Sequence, residues 1–237
     1  MGVVTTKDND TWRLSQINVF DDLSSDQMEE IIALAQPLQV ARDEILFSPD
    51  EEAGSIYLLR SGKVKLSKVA DDGKEITMAI LQAGDVFGEF AIAGADTQDL
   101  FAEVVEDASL YVIPWPDLEA LIGRKPQVAL MLVRALSERL RRAESQIEDL
   151  VFRSVPERVA SLVLKLAEEH GRVSARGITI DLRLTHQDIA NMVGATRETV
   201  TNVLNDLRSA GAIEIEQKHV RVLDQAALEV ASGAVRP

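Results

Sequence analysis

The stretch Thr185–Leu207, Thr-His-Gln-Asp-Ile-Ala-Asn-Met-Val-Gly-Ala-Thr-Arg-Glu-Thr-Val-Thr-Asn-Val-Leu-Asn-Asp-Leu, constrains this chain more than any other. It reads as two short helices around a tight turn at Gly194. Thr185 is placed to cap the first helix, with Asp188 three residues on to reach back, a capping-box pattern. Ile189 and Val193 give that helix an apolar side, and Ala190 is small where a second helix must approach. Gly194 can take the left-handed backbone that a helix end needs. Thr196 can cap the second helix. Val200, Val203, Leu204 and Leu207 then fall at i, i+3, i+4 and i+7, one buried stripe. The opposite face carries Arg197, Glu198, Thr201, Asn202, Asn205 and Arg208. Hydrogen-bonding groups near the start of an exposed helix are what base edges in a major groove require.

A helical hairpin with a merely solvated polar face has the same periodicity, so the flanks decide. Upstream, Gly177-Ile-Thr-Ile-Asp-Leu-Arg alternates apolar and polar residues like a strand. Downstream, Ile213/Ile215 and Val220/Val222 form two alternating runs, with Gln217-Lys218 suited to the hairpin turn between them. Strand, two helices and a hairpin make a winged helix-turn-helix, and double-stranded DNA is the expected partner.

At 237 residues the chain suggests one large domain or two ordinary ones. No run approaches the ~20 apolar residues of a membrane span, and no secretory signal is visible. A cytoplasmic protein without a membrane partner is expected. With no cysteine, there is no disulfide, thiolate metal site or iron–sulfur cluster to expect. The formal charge is −14, unevenly spread. Residues 151–237 hold 11 Lys/Arg and 11 Asp/Glu, leaving 25 − 11 = 14 and 39 − 11 = 28 for residues 1–150. The acid thus lies outside the presumed DNA domain and should repel DNA there. A neutral DNA domain implies few phosphate contacts and reliance on geometry.

The rest of the chain divides in order. Residues 1–18 are polar and expected to be a flexible N-terminus. From Phe20 to Gln36 a short helical lead-in is expected, with Ser25 as its cap. From Val40 to Ile113 short strands and turns follow: Ile45–Phe47, Ser55–Ser61, Lys63–Lys68, a hairpin turn at Asp71-Asp72-Gly73-Lys74, then Ile76, Met78 and Ile80 facing one side. This texture predicts a small sandwich or barrel over residues 19–116. Asp117 to Leu150 is helical, broken or joined near Lys125-Pro126. Val133, Leu136, Leu140, Ala143, Ile147 and Leu150 recur at spacings of 3, 4, 3, 4 and 3, a coiled-coil seam. A helix-turn-helix reader usually pairs two half-sites, so a dimer helix over 117–152 is favoured over one lying on its own domain. A hinge at Val151–Val155 leads to a capping box at Ser154 and Glu157, with Pro156 in the first turn. The DNA-binding domain is expected over 153–237. Its first helix, Arg158–His170, should turn Val159, Leu162, Val163 and Leu166 inward, and Gly171 should end it.

In this arrangement the chain resembles the cyclic-AMP receptor protein/FNR family of bacterial transcription regulators over about residues 19–225. Gly62-Lys63-Val64, Gly84-Asp85-Val86-Phe87-Gly88-Glu89 and Val193-Gly194-Ala195-Thr196-Arg197-Glu198-Thr199-Val200 carry the resemblance. It implies an α+β fold class: an N-terminal jelly-roll β-domain of the cyclic-nucleotide-binding type, a long dimerisation helix and a C-terminal winged helix-turn-helix. It also implies a homodimer on a near-palindromic operator, and a contact with RNA polymerase. Arg197 and Glu198 would read base edges; Arg suits guanine O6/N7 and Glu can accept from a cytosine amino group. A salt bridge within the helix start is the other reading of Glu198. Asn202 stands where cyclic-AMP-type members carry a second Arg, and Asn prefers adenine. Thr185, His186 and Gln187 would touch phosphates.

The resemblance also implies an effector pocket built on Phe87, Gly88, Glu89 and Phe90. Gln98-Asp99 fall where an Arg-Ser pair would hold a cyclic phosphate, and Ala143-Glu144 where hydroxyls would meet the purine. Lacking that Arg, and with an Asp beside the anion, the pocket speaks against cyclic AMP. Haem is not expected, because His170, His186 and His219 all lie beyond the sensor. The texture is most like the cyanobacterial nitrogen-regulator branch of the family, which answers 2-oxoglutarate. Its effector-contacting residues fall at Arg139 and Glu144, although its further Arg falls at Gln98. Three readings stay open: 2-oxoglutarate or another small anion, a cyclic nucleotide, and no effector or an unknown one. An ion pair between Arg139 and Glu144 across the dimer fits the last. No nucleophile–base pair, metal-ligand cluster or phosphate loop points to an enzyme. A sensor acting through protein partners rather than DNA is the competing class.

Overall fold

A computed structural model describes residues 24–89 and 91–233. The expected flexible N-terminus and Phe90 lie outside these residues. The chain forms two compact units, divided between Arg142 and Ala143.

In the first unit, helix α1 (Ser25–Leu34) is capped by Ser24 rather than the expected Ser25. The Ser24 hydroxyl accepts from Gln27 N at 3.3 Å, and Gln27 Oε1 accepts from Ser24 N at 2.9 Å. Gln27 is spaced for that reciprocal bond only from position 24. The lead-in helix stops short of Gln36, where β1 (Gln36–Val40) begins. Pro37 pushes the residue before it into extended backbone, which accounts for the change.

Strands β2 (Ile45–Phe47), β3 (Ser55–Val69), β4 (Glu75–Leu81), β5 (Val86–Phe87) and β6 (Phe101–Pro114) complete an antiparallel sheet. Its order is β1-β6-β3-β4, with β2 added to β6 and β5 to β3. The runs Ser55–Ser61 and Lys63–Lys68 are one strand, not two. Register shifts between Leu59 and Val64 absorb Gly62, which sits at φ 84°. Such bulges bend a strand and let it curl around a core. Lys65 lies opposite Glu103 and donates to it at 2.7 Å and to Glu75 at 2.9 Å, pinning β4, β3 and β6 together. Burial alone would lower the Lys65 pKa, but the two carboxylates outweigh it and raise it.

Leu59, Val64, Leu66, Leu81, Val104 and Leu110 form one buried cluster, joined by Phe47 and Phe87. Tyr57 stacks on Phe87 with centroids 5.0 Å apart. Burial, with Glu51 nearby, raises the Tyr57 phenol pKa. Ile76 and Met78 do share a side, and it is the outer one; Thr77 and Leu81 turn inward. A second cluster packs Ile56, Leu58, Tyr111 and Ile113 against Met28, Ile31, Leu118, Leu121, Val128, Met131 and Leu132. The last five come from α2 (Trp115–Arg124) and α3 (Gln127–Phe152), separated at Lys125-Pro126 as expected. Beyond its first two turns α3 leaves that core: Val133, Leu140, Ile147 and Leu150 are exposed, while Leu136 and Ala143 are half-buried.

The second unit opens on α4 (Val155–His170), with the Ser154–Glu157 capping box formed and Pro156 in the first turn. Hydrogen bonds from the Ser154 hydroxyl and backbone N–H, with Arg153 nearby, hold the Glu157 carboxyl below its ordinary range. Val159, Val163 and Leu166 are buried, and Leu162 is half-buried. Gly171 ends the helix and also begins a strand, β7 (Gly171–Ser174), which was not expected. It pairs with β8 (Gly177–Ile180), and the sheet continues through the wing in the order β7-β8-β10-β9. Helices α5 (His186–Val193) and α6 (Arg197–Ser209) precede β9 (Ile213–Glu216), β10 (His219–Val222) and a short α7 (Gln225–Ala231).

Candidate functional site

Local chemistry sets the two helices of the C-terminal motif. The Thr185 hydroxyl accepts from Asp188 N at 3.1 Å, and Asp188 Oδ2 accepts from Thr185 N at 2.7 Å. Gly194 takes φ 62°, ψ 48°, and its N–H closes the helix on Ala190 O. Arg158 of α4 donates from Nε to Val193 O at 2.9 Å and from Nη1 to Arg153 O at 2.9 Å. It satisfies a carbonyl at the end of α5 and braces the turn. No periodicity in the sequence singled Arg158 out, because its partner lies 35 residues away.

Thr196 caps α6, accepting from Thr199 N at 3.2 Å. Val200, Val203, Leu204 and Leu207 are buried as expected. Arg197, Glu198, Asn202 and Asn205 are exposed along the other face. Thr201 is turned back: its hydroxyl donates to Arg197 O at 2.8 Å and meets His186 Nδ1 at 2.8 Å. The Gln187 amide donates to the buried Asn191 at 2.8 Å. A cleft of about 540 Å³ lies between α5, α6 and the wing, lined by Thr185, His186, Gln187, Arg197, Ile215 and Lys218. The structure thus gathers four of the expected contact residues there. Lys218, read in the sequence only as a turn residue, is the addition. It takes φ 68° at the wing tip, and its carbonyl accepts from Leu184 N at 2.8 Å. That bond holds the wing against the start of α5.

In the first unit, Glu89 Oε1 lies 2.6 Å from Arg139 Nη1, both about a quarter exposed. Glu144, expected to pair with Arg139 across a dimer, is exposed on the single chain. Gly88 sits at φ 90°, and a Cβ there would lie 2.5 Å from Ser55 O. Phe87 belongs to the aromatic core and is 1% exposed. Gln98 is 3% exposed, and its Oε1 has no hydrogen-bond partner among the described residues. Asp99 turns to Lys68 at 2.7 Å, so its charge is compensated at the surface. Gln98 and Asp99 therefore part company: one faces inward and the other outward. Among the described residues no group of three or more His, Asp or Glu could hold a metal ion, and no helix is long and apolar enough to cross a membrane.

Comparison with known proteins agrees with this layout. Residues 37–125 match the cyclic nucleotide-binding domain, and residues 157–231 match the Crp-like helix-turn-helix domain. The chain is 35% identical to the global nitrogen regulator of Synechococcus elongatus, over 90% of this chain and 95% of that protein. It is 31% identical to a CRP-like cAMP-activated global transcriptional regulator of Mycobacterium tuberculosis, over 89% and 94%. A solved CRP-family transcriptional regulator from Thermus thermophilus superposes with a TM-score of 0.73 at 28% identity, covering 83% of this chain and 96% of that one. The α+β architecture expected from the sequence is the observed one: a cyclic-nucleotide-binding-type β-domain, long helices and a C-terminal winged helix-turn-helix. The chain belongs to the CRP/FNR family of transcription regulators.

Proposed function

We propose that the protein acts as a homodimer that reads a near-palindromic operator, with one α6 helix in each of two successive major grooves about 34 Å apart. The observation that carries this reading is the start of α6, where Arg197, Glu198, Asn202 and Asn205 are exposed while the reverse face is buried. Residues 19–116 act as sensor, 117–152 as the dimerisation region and 153–237 as the DNA-binding domain. Val133, Leu136, Leu140, Ala143, Ile147 and Leu150 form the seam between protomers. Thr185, His186 and Gln187 serve the phosphate backbone, and Thr196 belongs to the DNA-facing set at the start of α6. The protein regulates rather than catalyses, works in the cytoplasm where its DNA is, and contacts RNA polymerase.

Arg197→Ala tests the reading directly. Loss of a bidentate contact to guanine should cost about 1–3 kcal/mol and relax specificity at one base pair. Selection of operators from a random duplex pool, compared between the two proteins, measures both. An equal loss on every sequence reduces Arg197 to a phosphate contact. Failure of the parent protein to retain any duplex favours action through protein partners.

The effector is a small anion such as 2-oxoglutarate rather than cyclic AMP. Arg139 offers a guanidinium for a carboxylate. Gln98 is neutral where both cyclic-nucleotide members and the nitrogen-regulator branch would carry an arginine, so the choice rests on Arg139. Titration of 2-oxoglutarate should tighten operator binding, and cyclic AMP should leave it unchanged. Tightening by cyclic AMP alone reverses the assignment, and no response to either favours a regulator without these effectors.

A further inference from the structure

The hydrogen bonds around Thr201 fix the proton positions on His186. Thr201 Oγ1 lies 2.8 Å from Arg197 O and 2.8 Å from His186 Nδ1. The hydroxyl has one proton. If that proton went to the imidazole, two oxygens would face each other at 2.8 Å with nothing between them, a repulsive arrangement. The carbonyl can only accept, so the proton goes to Arg197 O. The Thr201 oxygen then accepts, and His186 Nδ1 must be the donor. The neutral ring therefore carries its proton on Nδ1. Its other nitrogen, Nε2, holds a lone pair and has no partner among the described residues.

His186 lines the cleft with Arg197 from α6 and Lys218 from the wing tip. On its own helix the nearest carboxylate, Asp188, is already engaged by Thr185 N at 2.7 Å and Thr185 Oγ1 at 2.6 Å. Glu198 on α6 and Glu216 on β9 are exposed and do not line the cleft. No carboxylate in the cleft lining therefore neutralises a charged imidazole, and two cations share the space. An anion entering there reverses the balance. A phosphate oxygen approaching Nε2 meets a lone pair if the ring is neutral and a strong donor if it is charged.

We propose that His186 is a proton-linked phosphate contact. It docks through Nδ1 onto the first turn of the recognition helix, and it takes up a proton at Nε2 when the DNA backbone enters the cleft. The proposal rests on the DNA-binding reading above. It gives the His186–Thr201 bond a positioning role: it ties α5 to α6 and at the same time leaves Nε2 as the only nitrogen free for the phosphate. Binding then draws up to one proton per protomer from solution. Affinity falls as pH rises, by up to about tenfold per pH unit for each protomer, over the range where the bound ring is charged and the free ring is neutral.

Calorimetric titration of the full-length protein with a duplex it has itself selected from a random pool tests this. The measurement is made near about pH 7.5 in buffers of different ionisation heat, where imidazole can exchange its proton. The parent protein should take up protons on binding. His186→Asn keeps an amide donor where Nδ1 stands and cannot titrate, so uptake should vanish and the pH dependence flatten. Equal uptake by both proteins overturns the proposal. DNA binding without any uptake overturns it while leaving the DNA-binding reading intact; no binding to any duplex overturns both. Nitrogen-15 spectra of the free parent protein give a readout that needs no DNA. They should show the Nδ1–H tautomer of the neutral ring, and Thr201→Val should release that preference. A free protein in the Nε2–H tautomer sinks the proposal.

Discussion

Replacing Leu140 and Ile147 together by aspartate yields monomers and lowers affinity for a two-half-site duplex by about 10²–10⁴-fold, the factor lost when two linked binding events become separate. Both side chains are 60% exposed on α3. Burial of four such side chains, two from each protomer, would contribute on the order of 6–12 kcal/mol before the costs of association. Aspartate in their place sets unpaired charges against an apolar seam and removes that contribution. Neither position packs in its own core, which is supplied by Val128, Met131 and Leu132 at the other end of the helix. The fold of each protomer should therefore survive. Sedimentation equilibrium reads the mass, and circular dichroism verifies the helix. A dimer that persists in the double variant would remove the seam from the argument.

The second large effect is on stability. Gly62→Ala should destabilise the sensor by roughly 3–5 kcal/mol, well above the usual cost of a surface substitution. Gly62 takes φ 84°, where a side chain is strained, and a Cβ there would lie 2.2 Å from Asp107 O and 2.6 Å from Ala108 Cα. Both obstacles are backbone in the neighbouring strand, so no rotamer change relieves them. The two longest strands, β3 and β6, would have to part at the bulge that lets them pair along their length. Differential scanning calorimetry measures the shift. An unaltered transition would mean that β3 and β6 separate there at little cost.

The helix-turn-helix was the most legible part of the sequence because its signals are local. Capping residues, a left-handed glycine and a four-residue apolar stripe all act within one or two turns, and every one is in place at Thr185, Gly194, Thr196 and Val200–Leu207. What escaped depends on distant partners. The continuity of β3 through Gly62 is decided by pairing with β6, some 45 residues on. Strand β7 exists because β8 returns to meet it, and its Val173 is exposed, so no alternation marks it. Lys218 is the turn residue the sequence marks, but its bond to Leu184, which ties the wing to α5, depends on a distant partner. The sensor site was partly legible. Glu89 and Arg139 were both singled out, but their meeting is a fact of tertiary structure. Gln98 and Asp99, adjacent in sequence, lie in opposite environments that a loop without periodicity does not encode.

The Glu89–Arg139 contact carries a thermodynamic consequence. On the proposed small-anion reading, a carboxylate ligand arriving at Arg139 would find the guanidinium already holding one. Its binding is an exchange between two carboxylates, so the number of ion pairs stays constant and the affinity reflects a difference between similar terms. Added salt screens both sides of such an exchange and should shift it little. The energy available for signalling is then neither the strength of the new pair nor that of the old. It is the difference in ligand affinity between the arrangement with Glu89 on Arg139 and the one without it.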